Sequence, residues 1–124
     1  PEGVAEQVAD LILAGLVELE GVRQVVVADD HGLVVEPTPG AVPAELLAAA
    51  SGHISEMGPR LDDILPLGAT TAVCVTDEDD LVLEVRYFRL YDVRCALLLL
   101  RDAQHDYPEL AVQAVQAIVN SLEG

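Results

Sequence analysis

The chain has 124 residues, of which 52% are hydrophobic and 3% aromatic, and its 22 acidic and 6 basic residues give a formal net charge of -16. This length predicts a single domain over residues 1–124, and the composition predicts an aliphatic core. The negative charge repels phosphate backbones and anionic lipid headgroups, and it therefore argues against nucleic acid and membrane surfaces as partners.

The first residues predict an amphipathic helix that ends at Gly21. Apolar residues recur there at three- and four-residue steps, with acidic residues off the stripe, which consists of Val4, Val8, Leu11, Ile12, Gly15, Leu16 and Leu19. A valine-rich hairpin over Val22–Glu36 follows. Its turn is expected at Asp29, Asp30, His31 and Gly32, with Gly32 at a positive φ angle.

The middle of the chain predicts a proline-rich loop over Pro37–Pro43 and a second helix over Ala44–Met57. The apolar face of this helix is expected to contain Leu46, Leu47, Ala50, Ile54 and Met57. A strip of small residues lies opposite, at Ala48, Ser51, Gly52 and Ser55. This strip either faces water or lets another backbone approach closely. Gly58-Pro59 interrupts the helix, and a short continuation carries Leu61, Ile64 and Leu65 up to Leu67-Gly68.

The last part of the chain predicts three strands and a closing helix. The strands cover Thr70–Thr76, Leu81–Phe88 and Asp92–Leu100, and short connections predict an antiparallel meander. The helix is expected to begin near Asp106 as N-cap, with Pro108 in its first turn. Its predicted buried face consists of Tyr107, Leu110, Ala111, Ala114, Val115, Ile118, Val119 and Leu122.

These elements predict an α+β fold with a five-stranded antiparallel sheet, in the order helix-strand-strand-helix-strand-strand-strand-helix. We expect the two terminal helices on one face of the sheet and the middle helix on the other. In the last strand, from Cys95 to Leu100, the residues that point to either face of the sheet are apolar, so both faces require burial. A partner protein is expected to cover what the middle helix leaves open.

This element order resembles the roadblock/dynein light chain family over nearly the whole chain. The strongest local likeness is GVRQVVVADDHGLVVE, residues 21 to 36, with its valine-rich strand, acidic turn, glycine and Leu-Val. The alanine-rich helix at Leu46 to Gly52 and the aliphatic last strand agree with the family pattern. The resemblance implies a profilin-like roadblock sandwich of the bacterial, small-GTPase-associated type.

The resemblance also implies a homodimer in which the middle helices pack together and the third strands pair edge to edge. The expected interface residues are Ala48, Ser51, Gly52, Ser55, Ala72, Cys74 and Thr76. The implied function is a non-enzymatic regulator or scaffold of a Ras-like small GTPase in a signalling or polarity module. Acceleration of hydrolysis, promotion of nucleotide exchange and localisation of the partner all stay open. The alternative is a small-molecule-binding sensor domain.

Motifs for catalysis or cofactor binding are absent from the sequence. It has no GxxxxGK[ST] or GxGxxG motif and no lysine. The four carboxylates of Asp77–Asp80 are interpreted as a solvated hairpin tip, and Asp29-Asp30-His31 as an ordinary turn, in preference to metal sites. We therefore assign no catalytic residue, no metal site and no cofactor, and none of the six arginines is named as an arginine finger.

The cysteines and the hydropathy pattern indicate where the protein is found. Cys74 and Cys95 lie in apolar runs and are expected to be two buried thiols in a reducing compartment, with a disulfide the less favoured reading. The run from Cys95 to Leu100 is too short to span a bilayer, so we expect no direct membrane insertion and a cytoplasmic location.

Overall fold

A computed structural model of the chain describes residues 2–32, 34–37, 40, 42–66 and 68–124. Within these residues lie four helices and five strands. In chain order they are α1 (Glu2–Val17), β1 (Val22–Asp29), β2 (Val34–Pro37), α2 (Ala44–Ser55), α3 (Met57–Ile64), β3 (Ala72–Thr76), β4 (Leu81–Leu90), β5 (Val93–Asp102) and α4 (Pro108–Glu123). No helix of the described part of the chain is long and apolar enough to cross a membrane.

The strands form one antiparallel sheet in the order β2-β1-β5-β4-β3. Runs of β-branched and leucine residues favour the central strands β1 and β5. A tight turn joins β4 to β5, where Tyr91 and Asp92 adopt positive φ angles of 49° and 64°. Two successive positive φ angles match the right-handed twist of the flanking strands, so this turn closes a long hairpin.

The terminal helices α1 and α4 pack together on one face of the sheet. The core beneath them joins alternate residues of β5 to the inward faces of both helices: Leu13 and Leu16 of α1, Cys95, Leu97 and Leu99 of β5, and Ala111, Ala114 and Ile118 of α4. Burial of such side chains stabilises the fold by about 1.5–3 kcal/mol each. This layer contains the larger of the two hydrophobic clusters.

Helix α2 covers part of the opposite face. It packs on β1, β2 and β5. The small cluster below it combines alanines with a few larger residues, namely Val26, Ala28, Leu47, Ala48, Val85, Ala96 and Leu98. Both faces of β5 are therefore buried, because its side chains alternate between the two clusters.

The predicted fold class is wrong as stated. The predicted order has three helices, whereas the chain has a separate fourth helix: Glu56 ends α2, and α3 begins at Met57. The second arm of the first hairpin is irregular as well. Within the described residues β2 covers Val34–Pro37, and a register shift between Val27 and Ala28 interrupts its pairing with β1. Four strands, β1, β5, β4 and β3, therefore make the body of the sheet, with β2 as a short edge segment.

Two helix predictions are corrected in detail. Among the described side chains of α1, Ala9, Leu13 and Leu16 are buried, whereas the predicted stripe residues Val8 and Leu11 are exposed. In α4 the N-cap is Tyr107 and its side chain makes no capping bond, so the Asp106 cap is wrong. Leu110, predicted to be buried in α4, is 41% exposed.

The turn at the first hairpin is confirmed. Gly32 has φ +77°, its N–H donates to the carbonyl oxygen of Asp29 at 3.1 Å, and the Asp29 carboxylate accepts from the His31 N–H at 2.9 Å. The Asp29 side chain thus stabilises the turn that the sequence predicts at this position. The predicted residues Leu33, Thr38, Pro39, Ala41 and Leu67 lie outside the described residues.

Candidate interaction surface

The small-residue strip of α2 faces the protomer's own hairpin. Ala48 and Ser51 are 0% and 2% exposed. A Cβ atom built on Gly52 would lie 3.6 Å from the Cα atom of Gly32, and one built on Gly32 would lie 3.0 Å from the carbonyl oxygen of Ala48. The strip does allow a backbone to approach closely, but that backbone is the β1–β2 turn of the same chain.

Two of the expected interface residues are therefore covered within one protomer. Ala48 and Ser51 have no side-chain surface to offer a second copy, and Ser51 Oγ donates to the carbonyl oxygen of Ala48 at 2.8 Å. Ser55 Oγ donates likewise to the carbonyl oxygen of Gly52 at 2.8 Å, and both residues are partly exposed. The physical reason is the alanine-rich sheet surface below α2, which accepts only a close-packed helix face.

The apolar face expected to lie inside is instead turned partly outward. Leu47 is buried, but Leu46 is 62% and Met57 is 49% exposed. The surface continues along α3, and we call the whole set the α2–α3 face: Leu46, Met57, Leu61, Ile64 and Leu65. Exposed apolar residues that recur along one segment of the surface are typical of protein interaction sites.

Strand β3 forms an edge of the sheet with its backbone groups available. The Tyr87 N–H donates to the carbonyl oxygen of Thr71 at 2.9 Å, and the register pairs Ala72 with Arg86. Because antiparallel pairs alternate between bonded and non-bonded types, the residues that bond β4 are Val73 and Val75. The N–H and C=O groups of Ala72, Cys74 and Thr76 therefore point away from β4, toward the free edge.

The β3 edge lacks the usual protection against pairing. Its sequence, AVCVT, contains no charged residue and no proline, whereas the opposite edge, β2, carries Glu36 and Pro37. Natural edge strands use charges and prolines to prevent association with other strands. Val75 is 48% exposed on the face of the sheet that α2 occupies elsewhere. Among the residues that the structure describes, β4 is the element that packs against β3, so the edge and this face form one uncovered region there.

An ion-pair network lies beside β3 on the opposite face of the sheet. Glu84, 2% exposed, accepts from Arg101 Nε at 2.7 Å and also from Arg86 Nε. Arg101 lies 3.5 Å from Asp106 and donates to backbone carbonyls of the β5–α4 connection. Burial alone would lower the pKa of Arg101, but the hydrogen bond and charge of Glu84 outweigh it and raise that pKa. The network fixes the start of α4 against β4.

The two cysteines differ in environment, and the prediction that both are buried is wrong for Cys74. Cys74 is exposed, Cys95 is buried, and both are free thiols. Burial and the neighbouring Glu84 raise the pKa of the Cys74 thiol. Burial and the carboxylates of Asp29 and Asp30 raise the pKa of Cys95. Neither thiol is activated, because thiolate reactivity requires a lowered pKa.

The remaining polar clusters do not form a metal or ligand site. Within the described ranges, no group of three His, Cys, Asp or Glu residues is arranged to hold a metal. The small cavity lined by Ser51, Tyr87 and Cys95 measures about 10 Å³, enough for no more than a water molecule. A cleft of about 360 Å³ lies beside His31 and His53 and has the volume of a small-molecule pocket. Its lining includes the polar residues Asp30 and Glu56 together with both histidines, whereas small-molecule pockets are lined mostly by apolar side chains, so the cleft does not favour the alternative of a small-molecule sensor.

Five of the six arginines are engaged within the protomer. Arg23 pairs with Asp102 at 2.7 Å, Arg89 donates to a backbone carbonyl, and Arg94 lies 4.1 Å from the ring centroid of Tyr87. Arg86 and Arg101 belong to the Glu84 network. These five arginines stabilise the fold through contacts within the protomer, and nothing in their contacts points to a catalytic role.

Solved structures with the same architecture come from several organisms. A gliding protein MglB from Thermus thermophilus superimposes with a TM-score of 0.77 at 19% identity, over 98% of this chain and 93% of that one. A Roadblock/LC7 domain from Streptomyces avermitilis gives 0.66 at 22% identity, over 90% and 92%. MglB from Myxococcus xanthus gives 0.68 at 10% identity, over 93% and 91%. The chain therefore has the roadblock fold.

No protein-family model matches the sequence, and no curated protein matches it either. A further solved structure, described as MglB with a tetrameric arrangement, superimposes with a TM-score of 0.71 at 17% identity, over 97% of this chain and 89% of that one. At such identities the likeness concerns the fold, and function has to be argued from the surface.

Proposed function

We propose that this roadblock-fold chain forms a two-fold symmetric homodimer that regulates or scaffolds a Ras-like small GTPase without catalysing a reaction of its own. One observation carries the proposal: the unprotected edge of β3 lies beside uncovered apolar surface. A second copy supplies both a strand for the edge and apolar side chains for the exposed helices. Closed two-fold dimers are the commonest assembly that such a self-complementary patch makes.

The strand edge determines the register of the proposed dimer. Since Cys74 is the central residue of Ala72–Thr76, a two-fold axis there places Cys74 opposite its own counterpart. Ala72 then lies opposite the partner's Thr76, and each pair can exchange two backbone hydrogen bonds. The proposed interface therefore retains the three strand residues that were expected there, Ala72, Cys74 and Thr76.

The helix part of the proposed interface differs from the expectation. Ala48 and Ser51 are replaced by the α2–α3 face, whose most exposed residues are Leu46 and Ile64. Gly52 and Ser55 lie between the buried and exposed sides of α2 and stay at the border of the interface. Burial of apolar area in this way contributes about 25 cal/mol per Å² before the costs of association.

The GTPase partner is proposed from the resemblance of the sequence to the roadblock family, and the roadblock fold that the chain shares with its structural neighbours supports this proposal. Five of the six arginines make structural contacts within the protomer, and we propose that the chain acts by binding the GTPase, without a catalytic residue of its own. Whether binding accelerates hydrolysis, promotes exchange or localises the GTPase is decided by rate measurements on the complex.

Calorimetry tests this proposal with a Ras-like small GTPase from the same organism, loaded in turn with a non-hydrolysable GTP analogue and with GDP. We expect saturable binding that differs between the two nucleotide states. Single-turnover hydrolysis and nucleotide release, measured with and without this protein, then assign the role. Absence of binding in both states for every Ras-like GTPase of that organism would refute the partner.

A further inference from the structure

A groove runs between α1 and α4 on the side of the molecule away from the sheet. Its volume is about 270 Å³, and it is lined by Ile12, Gly15, Leu16, Leu19, Leu110, Gln113 and Ala114. We call it the α1–α4 groove. Leu11, four residues before Gly15 on α1, is 72% exposed beside it, and Val8 is 38% exposed one turn earlier. The groove thus continues into an exposed apolar stripe.

Gly15 keeps the groove open. A Cβ atom built at this position meets no heavy atom within 4 Å, so the backbone of α1 does not require glycine there. Glycine in a helix interior costs about 0.5–1 kcal/mol relative to alanine. The open space above Gly15 is part of the groove, and only a side chain much larger than a methyl group at this position would fill it.

The charge around the groove has one sign. Neither α1 nor α4 contains a basic residue. Glu18 follows Gly15 by three residues, and Glu109 precedes Gln113 by four, so both carboxylates flank the groove and both are exposed. An apolar groove with an acidic rim complements an apolar ligand with a basic rim.

We propose that the α1–α4 groove binds an amphipathic helix of a partner protein, with basic residues on either side of its apolar stripe. A helix fits because the groove follows two helices, whose surface ridges accept side chains spaced at three and four residues. An extended peptide would need a free sheet edge, and α1 and α4 cover the sheet here. This inference goes beyond the GTPase role and does not depend on the dimer.

The chemistry disfavours other occupants of the groove. A second copy would bring its own acidic helices against Glu18 and Glu109, in a chain of net charge -16. An anionic lipid surface is repelled in the same way. The volume falls below the usual range of about 300–1,000 Å³ for small-molecule pockets but accommodates anchoring side chains.

The test uses a synthetic helical peptide with leucines at i, i+3, i+4 and i+7 and lysines elsewhere, labelled for fluorescence anisotropy at about 0.15 M salt. Gly15→Phe fills the groove, and Gly15→Ala is the matched control that adds only a methyl group. We expect Gly15→Phe to weaken binding about tenfold or more and Gly15→Ala to leave it within about twofold, a difference of at least 1 kcal/mol. Equal binding by wild type and Gly15→Phe would overturn the proposal.

Two further controls separate the groove from general attraction to an acidic protein. A scrambled peptide with the same composition should bind at least tenfold more weakly, and Ile64→Gln, on the α2–α3 face, should leave binding unchanged. Equal binding of the scrambled peptide, or loss of binding in Ile64→Gln, would contradict the assignment. Light scattering on Gly15→Phe should give the wild-type mass; a loss of mass would instead assign the groove to a second copy.

Discussion

Two glycines, Gly21 and Gly15, are expected to respond in opposite ways to replacement by alanine. Gly21 has φ +82°, and a Cβ atom there would lie 2.4 Å from His105. We expect Gly21→Ala to lower the free energy of unfolding by about 1–3 kcal/mol, because it adds strain at a positive φ angle. Gly15→Ala should raise the same free energy by up to about 1 kcal/mol. Urea denaturation measures both values.

A neutral Gly21→Ala variant would contradict the close packing of His105 over the glycine. The double variant Gly21→Ala with His105→Gly separates the two causes, since it removes every side-chain atom of residue 105, including the Cβ atom that would collide, and retains the strained φ angle. Recovery of part of the lost stability in the double variant is expected.

The buried Glu84–Arg101 pair gives a second prediction at this scale. Glu84→Leu leaves the Arg101 guanidinium, whose side chain is 7% exposed, without its main carboxylate partner. We expect a loss of about 3–5 kcal/mol, because an unpaired buried charge is costly. The paired replacement Glu84→Leu with Arg101→Met should recover most of this loss in urea denaturation. If Glu84→Leu alone loses less than about 1 kcal/mol, the pair does not hold the α4 connection as described.

Individual turn residues were predictable from sequence, because their chemistry is local. The positive φ of Gly32 and the Asp29 side-chain bond follow from residue types at adjacent positions. The Glu84 pairing was not predictable in this way. Arg101 lies 17 residues away, and only the register of β4 against β5 brings the two side chains together.

At the scale of elements, β3 provides the most specific test of the proposed dimer. The Cys74 N–H points away from β4, so Cys74→Pro removes no hydrogen bond of the protomer but blocks the central bond to a second strand. We expect Cys74→Pro to be folded and monomeric, as measured by circular dichroism and light scattering. The matched control Cys74→Val, which retains the N–H, should stay dimeric.

A folded, dimeric Cys74→Pro variant would contradict pairing through the β3 edge. In that case the α2–α3 face would have to hold the dimer alone, and Ile64→Gln would be the variant that yields monomers. If instead Cys74→Val is also monomeric, the side-chain shape and not the backbone edge is responsible.

Helix α2 shows why a hydrophobic pattern alone does not predict which side of a helix packs against the sheet. Hydrophobic periodicity placed Leu46 and Met57 inside and the small residues outside. The sheet below α2 presents Ala28 and Ala96, and a close approach to that surface requires small residues on the helix. The alanines of β1 and β5 were visible in the sequence, but their position under α2 depends on the tertiary fold. The exposure of the α2–α3 face agrees with the proposed homodimer, in which a second copy covers it.

For the whole molecule, the arrangement of helices on both faces of the sheet was more predictable from the sequence than the number and boundaries of the helices. Apolar residues on both faces of β5 indicate that both faces are buried, and helices pack on each side of the sheet. The break at Glu56 was harder to place, because Gly58-Pro59 lies inside α3 and does not mark its start. Proline is tolerated in the first turn of a helix, so the boundary falls before it.

Multi-angle light scattering at physiological salt determines whether the chain forms the proposed homodimer. Screening at that ionic strength reduces the repulsion between two protomers of charge -16. We predict a mass of twice 13.2 kDa for the wild type. A wild-type mass of 13.2 kDa over the micromolar range would contradict the shared edge at β3 and, with it, the proposed dimeric regulator.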